Sequence, residues 1–352
     1  MNKNRDNIFG RRLSQVRQMQ GLSMEELGSL LTPAVTRQAI YKYEKGQTLP
    51  GSRMLMALGS ALGVKPDYFF RPFTVDVDRV MFRKDAKFPE KKSIAIRERV
   101  REELERYLEA EQLCGTQLEF SLPSINISSA ENVAEYAVKV RSLLKLGIDG
   151  ISNVIEVLED NGVKVIEISE ADSFEGLSGY ANDDIPVIVV NDNLTPERKR
   201  FALLHELGHL LMRLKCDMKA KEIENLCNIF ASELLLPSYV LLSRIGIIRH
   251  DISLAELSDL QKQYGISIDA IMDAMRRLDV ITDRRYDGYL KKKRSFPDFR
   301  AVVEQSMAIP ETTGRFVRMV YRALADEVIS FSKAAALLNT SVETVKKQLI
   351  LI

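Results

Sequence analysis

The 352-residue sequence is poor in the residues that cross-link a chain or anchor it in a membrane. It has three cysteines, Cys114, Cys216 and Cys227, and they form neither a CxxC motif nor an even-numbered framework. Disulfides are therefore not expected, and a reducing cytoplasm is the predicted compartment. The first residues, MNKNRDNIFG, lack the apolar core of a signal peptide, and no apolar run is long enough to span a bilayer. We expect a soluble cytoplasmic protein with no membrane partner.

Net charge is also scarce, at +1, but it is unevenly distributed. Residues 1–73 contain eleven Lys and Arg residues against five Asp and Glu residues, a local net charge of +6. A basic end on an otherwise neutral chain favours a nucleic-acid partner. The length predicts more than one domain.

The basic segment has the start and stop signals of four short helices. Ser23 and Glu26 form a capping-box pattern, and Thr36 and Ser52 are predicted N-caps for the third and fourth helices. Glycines stand where the helices should end. These segments, "RRLSQVRQMQGLSMEELGSLL", "VTRQAIYKYEKGQTLP" and "LGSALGVKPDYFF", resemble the helix-turn-helix domain of phage-repressor-like regulators. The connection "LLTPAVTRQAI" is longer than the usual turn.

The resemblance implies that "TRQAIYKYE" enters the major groove of DNA. Gln38 suits bidentate recognition of adenine, and Arg37 suits guanine or phosphate. The DNA-binding residues expected on this basis are Thr36, Arg37, Gln38, Tyr41 and Lys42, with Arg11 and Arg17 on the phosphate backbone. A small helical protein-interaction domain is the alternative, which the local charge disfavours.

A charged helical connector over residues 74–125 is predicted next, and from about residue 126 the pattern changes to α/β. "VKVIEI" and "IPVIVVN" read as strands, and Thr195 and Pro196 open a helix that runs through "HELGH". Two of the chain's three histidines, His205 and His209, are thus one turn apart on one face, close enough for both imidazoles to bind one ion. Glu206 lies beside that face.

Two histidines need a further ligand, and the helix "KEIENLCNIFASELLLP" offers Glu222, Glu224 and Glu233. We choose Glu224, because it shares a helix face with small and polar residues, and keep Glu233 in reserve. Asn228, four residues after Glu224, is expected to hold His205 by a hydrogen bond from outside the ligand set.

"RFALLHELGH" followed by "IENLCNIFASELLLP" resembles the ImmA/IrrE family of metallopeptidases. The resemblance implies a zincin-like fold with one Zn²⁺ per chain on His205, His209 and Glu224, and with Glu206 as the general base. Members are often fused to a repressor-like helix-turn-helix domain and are associated with cleaving repressors.

Three features leave alternatives open. Cys216 and Cys227 are either an oxidation-sensitive thiolate plug for the metal or, as we favour, small buried hydrophobic residues. "KKKRSFPDFR" is expected to be an exposed connector. The last helices have a helix-turn-helix cadence, for which a regulatory or dimerising role is favoured over a second operator reader.

The sequence therefore predicts a multidomain protein: an all-α helix-turn-helix domain (1–73), a connector (74–125), an α+β zincin-like metallopeptidase domain (126–285) and a helical C-terminal region (286–352). The predicted function is a transcriptional regulator, dimeric on a double-stranded DNA operator, whose zinc endopeptidase cleaves a repressor-type protein. A non-proteolytic repressor or antitoxin-like protein that uses the peptidase fold as a scaffold is the alternative. A free-standing general protease is disfavoured by the DNA-binding domain.

Overall fold

The computed structural model describes residues 7–77, 90–127, 129–169, 174–214 and 218–349. The chain divides into two compact units, Met1–Gln112 with Ala181–Asp183, and Leu113–Tyr180 with Asp184–Ile352. The four-part division drawn from the sequence stays a prediction. Among the described residues, no helix alone has the length and apolar character to cross a membrane. Two consecutive helices, Ala220–Leu235 and Ser238–Ile245, reach that threshold only when taken together, with a 59° bend between them.

The regular secondary structure of the first unit, within its described residues up to Gln112, is helical. Its helices are α1 (Ile8–Met19), α2 (Met24–Leu30), α3 (Arg37–Glu44), α4 (Ser52–Leu62), a 3-10 helix (Pro66–Phe70) and α5 (Glu90–Cys114), whose last two residues lie past the unit boundary at Gln112. The predicted capping box of Ser23 and Glu26 is present, and Thr36 caps α3 by accepting from the amide of Ala39. Ser52 does not cap α4, because Gly51 holds that position and Ser52 is the first helical residue.

The charged helix α5 is anchored to the first unit by partly buried polar contacts. Arg12, almost fully buried, pairs with Glu105 at 2.8 Å, and the Tyr68 hydroxyl lies 3.1 Å from the Glu102 carboxylate. Burial, followed by the Glu102 charge, raises the pKa of Tyr68. These contacts fix one face of a helix whose sequence shows only a narrow apolar stripe.

The second unit is α+β, as predicted. Its strands form two small sheets: β1 (Ile125–Ile127) pairs in parallel with β5 (Met212–Leu214), and the order of the other sheet is β2 (Lys164–Ile168), β4 (Ile185–Asn191), β3 (Gly176–Ala181). β2 and β4 are parallel, with Lys164 opposite Val187 and Ile168 opposite Asn191. The first helices are α6 (Ala130–Leu143), α7 (Val154–Asp160), α8 (Pro196–Leu211) and α9 (Ala220–Leu235).

The core of this unit lies between β4 and its neighbouring helices. α8 packs on β4 and on α9, and α9 also packs on α6, where the rings of Tyr136 and Phe230 stack at 5.8 Å. Further helices follow in the order α10 (Ser238–Ile245), α11 (Leu254–Tyr264), α12 (Ile268–Arg277), α13 (Asp283–Ser295), α14 (Pro297–Glu304), α15 (Arg315–Ala325), α16 (Phe331–Leu337) and α17 (Val342–Gln348).

The segment "KKKRSFPDFR" is largely exposed, as expected, but it is not a connector, since α13 and α14 occupy it. Pro297 is the first residue of α14, a position where the missing amide hydrogen costs nothing. Tyr289 of α13 and Val303 of α14 are buried in the main core of the unit. The prediction of a connector at this place is therefore wrong.

The segment between α14 and α15 is joined to the start of α8 by two buried carboxylates. Glu197 accepts hydrogen bonds from the amides of Met307 (2.6 Å) and Ala308 (3.0 Å). Glu311 pairs with Arg200 at 2.8 Å and accepts from the amide of Ile155 at the start of α7. The C-terminal segment is therefore part of the structure that holds α8 in place.

Candidate metal centre and nucleic-acid interface

Helix α8 positions both histidines through its own apolar periodicity. Pro196 starts the helix, and Leu203, Leu204, Leu207 and Leu211 turn one side into the core. His205 and His209 lie on the side that faces α9, with side chains 14% and 6% exposed.

Gly208, between the two histidines, lets α9 approach α8 closely. A Cβ at this position would lie 3.1 Å from a ring carbon of Phe230 and 3.6 Å from the Cα of Cys227. A larger residue would push α9 away from the histidines. The glycine of "HELGH" therefore has a packing role that places the downstream acidic residue within reach.

Three side chains from α8 and α9 converge. The Nε2 atoms of His205 and His209 are 3.0 Å apart, Oε2 of Glu224 lies 3.1 Å from Nε2 of His205, and Oε1 of Glu224 lies 3.6 Å from Nε2 of His209. In a tetrahedral zinc site with bonds of 2.0–2.1 Å, ligand atoms are separated by about 3.3 Å. These separations are close to that value, so the donor set suits a cation of the size of Zn²⁺.

The remaining ring nitrogen of each histidine contacts a residue of α9. Nδ1 of His205 lies 2.8 Å from Oδ1 of Asn228, and Nδ1 of His209 lies 3.0 Å from Sγ of Cys227. A hydrogen bond at Nδ1 fixes the ring orientation and leaves the Nε2 lone pair for a metal ion. The structure thus brings Asn228 to the histidine that the sequence assigned to it, and adds Cys227 in the matching position on the other ring.

Cys227 also belongs to a second possible donor set, because the ligand atoms of His205, His209 and Cys227 all lie within 4.8 Å of one another. Its sulfur, however, contacts Nδ1 of His209, and the two nitrogens of an imidazole point away from each other. An ion held by both Nε2 atoms would lie on the other side of the ring. With no exposed surface, Cys227 fits the role of a buried small residue better than that of a plug. Cys216 lies outside the described residues.

The other two acidic candidates of α9 have partners of their own. Glu222 accepts from the amide of Lys219 and closes a capping box at the start of the helix. Glu233, kept as the reserve ligand, is buried at the far end, where it accepts from the amide of Ser238 and pairs with Arg277 at 3.0 Å. Glu233 is thus a structural anchor, and the reserve assignment is wrong.

Glu206 is held by strand β3. The Ser178 hydroxyl donates to Oε2 of Glu206 at 2.6 Å. A Cβ at Gly176 would approach the Glu206 side chain to 3.1 Å, so glycine leaves room for it. Neither residue was predicted from the sequence. The available signal was the period-2 alternation of "GLSGYA", which puts Gly176, Ser178 and Tyr180 on one face of the strand.

The electrostatics of the site favour positive charge at His205. Burial opposes the charged form of His205, but the hydrogen bond to Glu224 and the charge of Glu206 outweigh it and raise the pKa of His205. The same carboxylates that stabilise an imidazolium would stabilise a metal cation in its place.

In the first unit, α3 presents a polar face. Ile40 and Glu44 are buried, while the five residues predicted to meet DNA on this helix are exposed: Thr36, Arg37, Gln38, Tyr41 and Lys42. Arg11 is also exposed, with its guanidinium 4.2 Å from the ring centre of Phe73.

Arg17 does not join this face, which corrects the prediction of a phosphate contact. It is buried, and its guanidinium donates to both carboxylate oxygens of Glu44 at 2.5 and 3.0 Å and to the carbonyl of Leu22 at 2.7 Å. All three of its nitrogens are used inside the unit, so Arg17 locks α1 onto α3.

Comparison with known families agrees with both halves of this description. Residues 13–69 match the family model described as helix-turn-helix, and residues 158–274 match the model described as IrrE N-terminal-like domain. The chain therefore carries a helix-turn-helix domain followed by an IrrE-like metallopeptidase-family domain, as the two resemblances implied.

Three curated proteins show where the similarity lies. Radiation response metalloprotease IrrE of Deinococcus deserti is 29% identical over 106 residues, covering 27% of this chain and 32% of that protein. The HTH-type transcriptional regulators y4aM and y4wC of Sinorhizobium fredii are 37% identical over 75 residues and 41% over 65 residues. Those matches cover 21% and 18% of this chain, and 51% and 44% of the relatives. The chain thus spans about half or less of each relative that it matches.

Among solved structures, PlcR of Bacillus thuringiensis in complex with the peptide PapR7 and DNA aligns with 98% of this chain and 99% of its own. The sequence identity is 11% and the TM-score is 0.18, values too low to indicate a shared fold.

Proposed function

We propose that this chain is a cytoplasmic, DNA-binding transcriptional regulator whose second unit is a zinc-dependent endopeptidase acting on a repressor-type protein. The observation that carries the proposal is the convergence of His205, His209 and Glu224, at 3.0 to 3.6 Å, beside a glutamate that Ser178 orients. The match to the IrrE N-terminal-like domain supports the same chemistry.

In this proposal His205, His209 and Glu224 hold one Zn²⁺, and each imidazole is fixed from behind by Asn228 or Cys227. Zinc supplies Lewis-acid chemistry, activating water as a nucleophile and polarising a peptide carbonyl.

Glu206 is the general base. It accepts the proton of the attacking water and passes it to the leaving amine of the substrate. The hydroxyl of Ser178 fixes the direction of the Glu206 carboxylate through one oxygen.

The first unit would bring this activity to an operator. Gln38 and Arg37, exposed on α3, suit base recognition in the major groove, and Arg11 suits a phosphate contact. Paired half-sites imply a homodimer on the DNA. The repressor-type substrate is inferred from the IrrE-like domain and from its fusion to a helix-turn-helix domain.

Zinc binding and cleavage are tested together on the full chain. Metal content is measured for the native protein and for Glu224→Ala and Glu206→Gln. Each protein is then incubated with purified helix-turn-helix repressors from the same genome, and the products are read by mass spectrometry. Glu222→Ala and His250→Ala are matched controls, since they remove a glutamate from the same helix and the one histidine outside the site.

We expect about one zinc per native chain, its loss in Glu224→Ala only, and loss of cleavage without loss of zinc in Glu206→Gln. Native protein without zinc would refute the metal centre. Zinc binding with no cleavage of any repressor, and unchanged gene regulation in Glu206→Gln, would favour the scaffold alternative.

A further inference from the structure

A second pair of helices, at the other end of the chain, repeats the local architecture of α2 and α3. The two family matches end at residues 69 and 274, before this pair begins. The pair consists of α16 (Phe331–Leu337) and α17 (Val342–Gln348), with Ser330 and Ser341 as their N-caps.

The first helices of the two pairs, α2 and α16, have the same pattern of buried residues when positions are counted from their N-caps, Ser23 and Ser330. Four residues after the cap, Leu27 and Ala334 have no exposed surface. At the next position both pairs have a small residue, Gly28 and Ala335. A small side chain there lets the turn and the second helix approach the first.

The turns agree as well. In each pair, the residue before the second N-cap donates its amide to the carbonyl of that small residue: Val35 to Gly28 at 3.0 Å, and Thr340 to Ala335 at 2.9 Å. The C-terminal turn has three residues, of which Asn339 is left-handed (φ 49°). A short turn of this kind is usual between the helices of a helix-turn-helix, and asparagine tolerates that conformation.

The second helices are in the same register. Four residues after their caps, Thr36 and Ser341, the residues Ile40 and Val345 are both fully buried. The positions taken by exposed Tyr41 and Lys42 in α3 are taken in α17 by Lys346 and Lys347, which are also exposed.

The exposed face of α17 is polar and carries no large apolar residue: it consists of Glu343, Lys346, Lys347 and Gln348. Lysine and glutamate are depleted in protein–protein interfaces, so this face differs in composition from a typical protein-docking surface. The surrounding three-helix region, residues 315–349, has six basic and three acidic side chains, a net charge of +3 in a chain whose total is +1. Arg315 and Arg318 pair with Asp160 and Glu156 outside the region, whereas Lys346 and Lys347 lie on the exposed face of α17. Charge complementarity therefore favours a polyanion.

Helix α15 supports the pair from behind. Met319, Val320, Ala323 and Leu324 face the core of this region, and the Tyr321 hydroxyl donates to the side-chain carbonyl of Gln348 at 2.6 Å. We propose that α15 to α17 form a second helix-turn-helix module, which binds double-stranded DNA through the exposed face of α17.

The test measures binding of the full chain to a fluorescein-labelled 30-base-pair duplex by anisotropy over a series of KCl concentrations. The N-terminal reader is first weakened by the double change Arg37→Ala and Gln38→Ala. In that background we expect the further double change Lys346→Ala and Lys347→Ala to weaken binding about tenfold or more, and to reduce the salt slope by about 2.

Three variants keep the result interpretable. Lys291→Ala with Lys292→Ala removes the same charge from α13 and should leave binding unchanged, whereas Lys346→Arg with Lys347→Arg should retain it. Glu343→Gln should tighten binding severalfold, a gain that misfolding cannot produce.

The proposal is overturned if the Lys346 and Lys347 double variant binds like its parent, or if the α13 control loses as much. It is also overturned if the α17 variant changes the oligomeric state in light scattering while DNA binding stays the same, because the pair would then be a dimerising element.

Discussion

The titratable side chains in the two halves of helix α8 have different kinds of partner. In the first half, Glu197 and Arg200 are buried and each is bound by groups from distant segments. In the second half, His205 and His209 direct their Nε2 atoms at each other and at Glu224. Charges that are satisfied one by one hold a fold together, whereas ligand atoms that converge on one point mark a place for an ion. The comparison predicts that changes in the first half affect unfolding and changes around the second half affect zinc.

The largest effect is expected from Glu311→Ala. This change leaves Arg200 buried without its carboxylate partner and removes the hydrogen-bond acceptor at the start of α7. The free energy of unfolding, measured by urea denaturation, should therefore fall by about 3–5 kcal/mol. Glu304→Ala, which removes an exposed partner of Lys293, should cost less than about 1 kcal/mol. Equal losses of unfolding free energy in the two variants would show that the buried ion pair contributes no more to stability than the exposed one.

The residues that contact the Nδ1 atoms of the two histidines should give the next largest effect, and we expect it on the affinity for zinc. Because Cys227 and Asn228 each contact an Nδ1 atom, replacing either by alanine should weaken zinc binding about 10- to 100-fold. Competition with a fluorescent chelator measures this. If Cys227→Ala binds zinc as tightly as the native protein, its sulfur contributes only packing.

Ser178→Ala should have a smaller effect, confined to the rate of cleavage. Losing the 2.6 Å hydrogen bond to Glu206 should lower kcat about tenfold, with zinc content unchanged. Ser178→Thr, which keeps the hydroxyl, should retain part of the rate. A loss of zinc in Ser178→Ala would contradict the separation between the base and the ligands.

The smallest effect is a pH dependence from the first half of α8. Burial raises the pKa of Glu197, but hydrogen bonds from Ser306 and from the amides of Met307 and Ala308 outweigh it and lower the pKa. A carboxyl whose pKa is depressed by folding contributes stability above its unfolded pKa, and that contribution is lost as the pH falls through the folded value. The difference in unfolding free energy between native protein and Glu197→Gln should therefore shrink from pH 7 to below pH ~4. If the difference in unfolding free energy stays constant over this pH range, the hydrogen bonds to Glu197 do not lower its pKa.

The site was largely predictable because helices repeat every 3.6 residues. That period alone puts His205 beside His209, and Glu224 beside Asn228. Ser178 and the partners of Glu197 and Glu311 were not predictable, since they lie 28 to more than 100 residues away in sequence. Local patterns do not encode such contacts.

The burial of Arg17 was predictable from its position in the helix, but the basic composition of the segment favoured a DNA contact instead. Arg17 follows buried Leu13 by four residues in α1, so the helical period places it on the buried side. The basic charge of the segment suggested DNA instead. Among basic residues, position on the helix decides which ones can reach a phosphate.

The two carboxylates at the start of α8 also bear on how this protein can be divided. The region that resembles other peptidases ends at residue 274, yet Ser306, Met307, Ala308 and Glu311 hold the helix that carries the histidines. A fragment that ends at residue 274 would lack these four residues and would leave buried Arg200 without its carboxylate partner. The length over which a protein resembles its relatives and the length that it needs in order to fold are separate quantities, and an exchange of peptidase modules between regulators must follow the second.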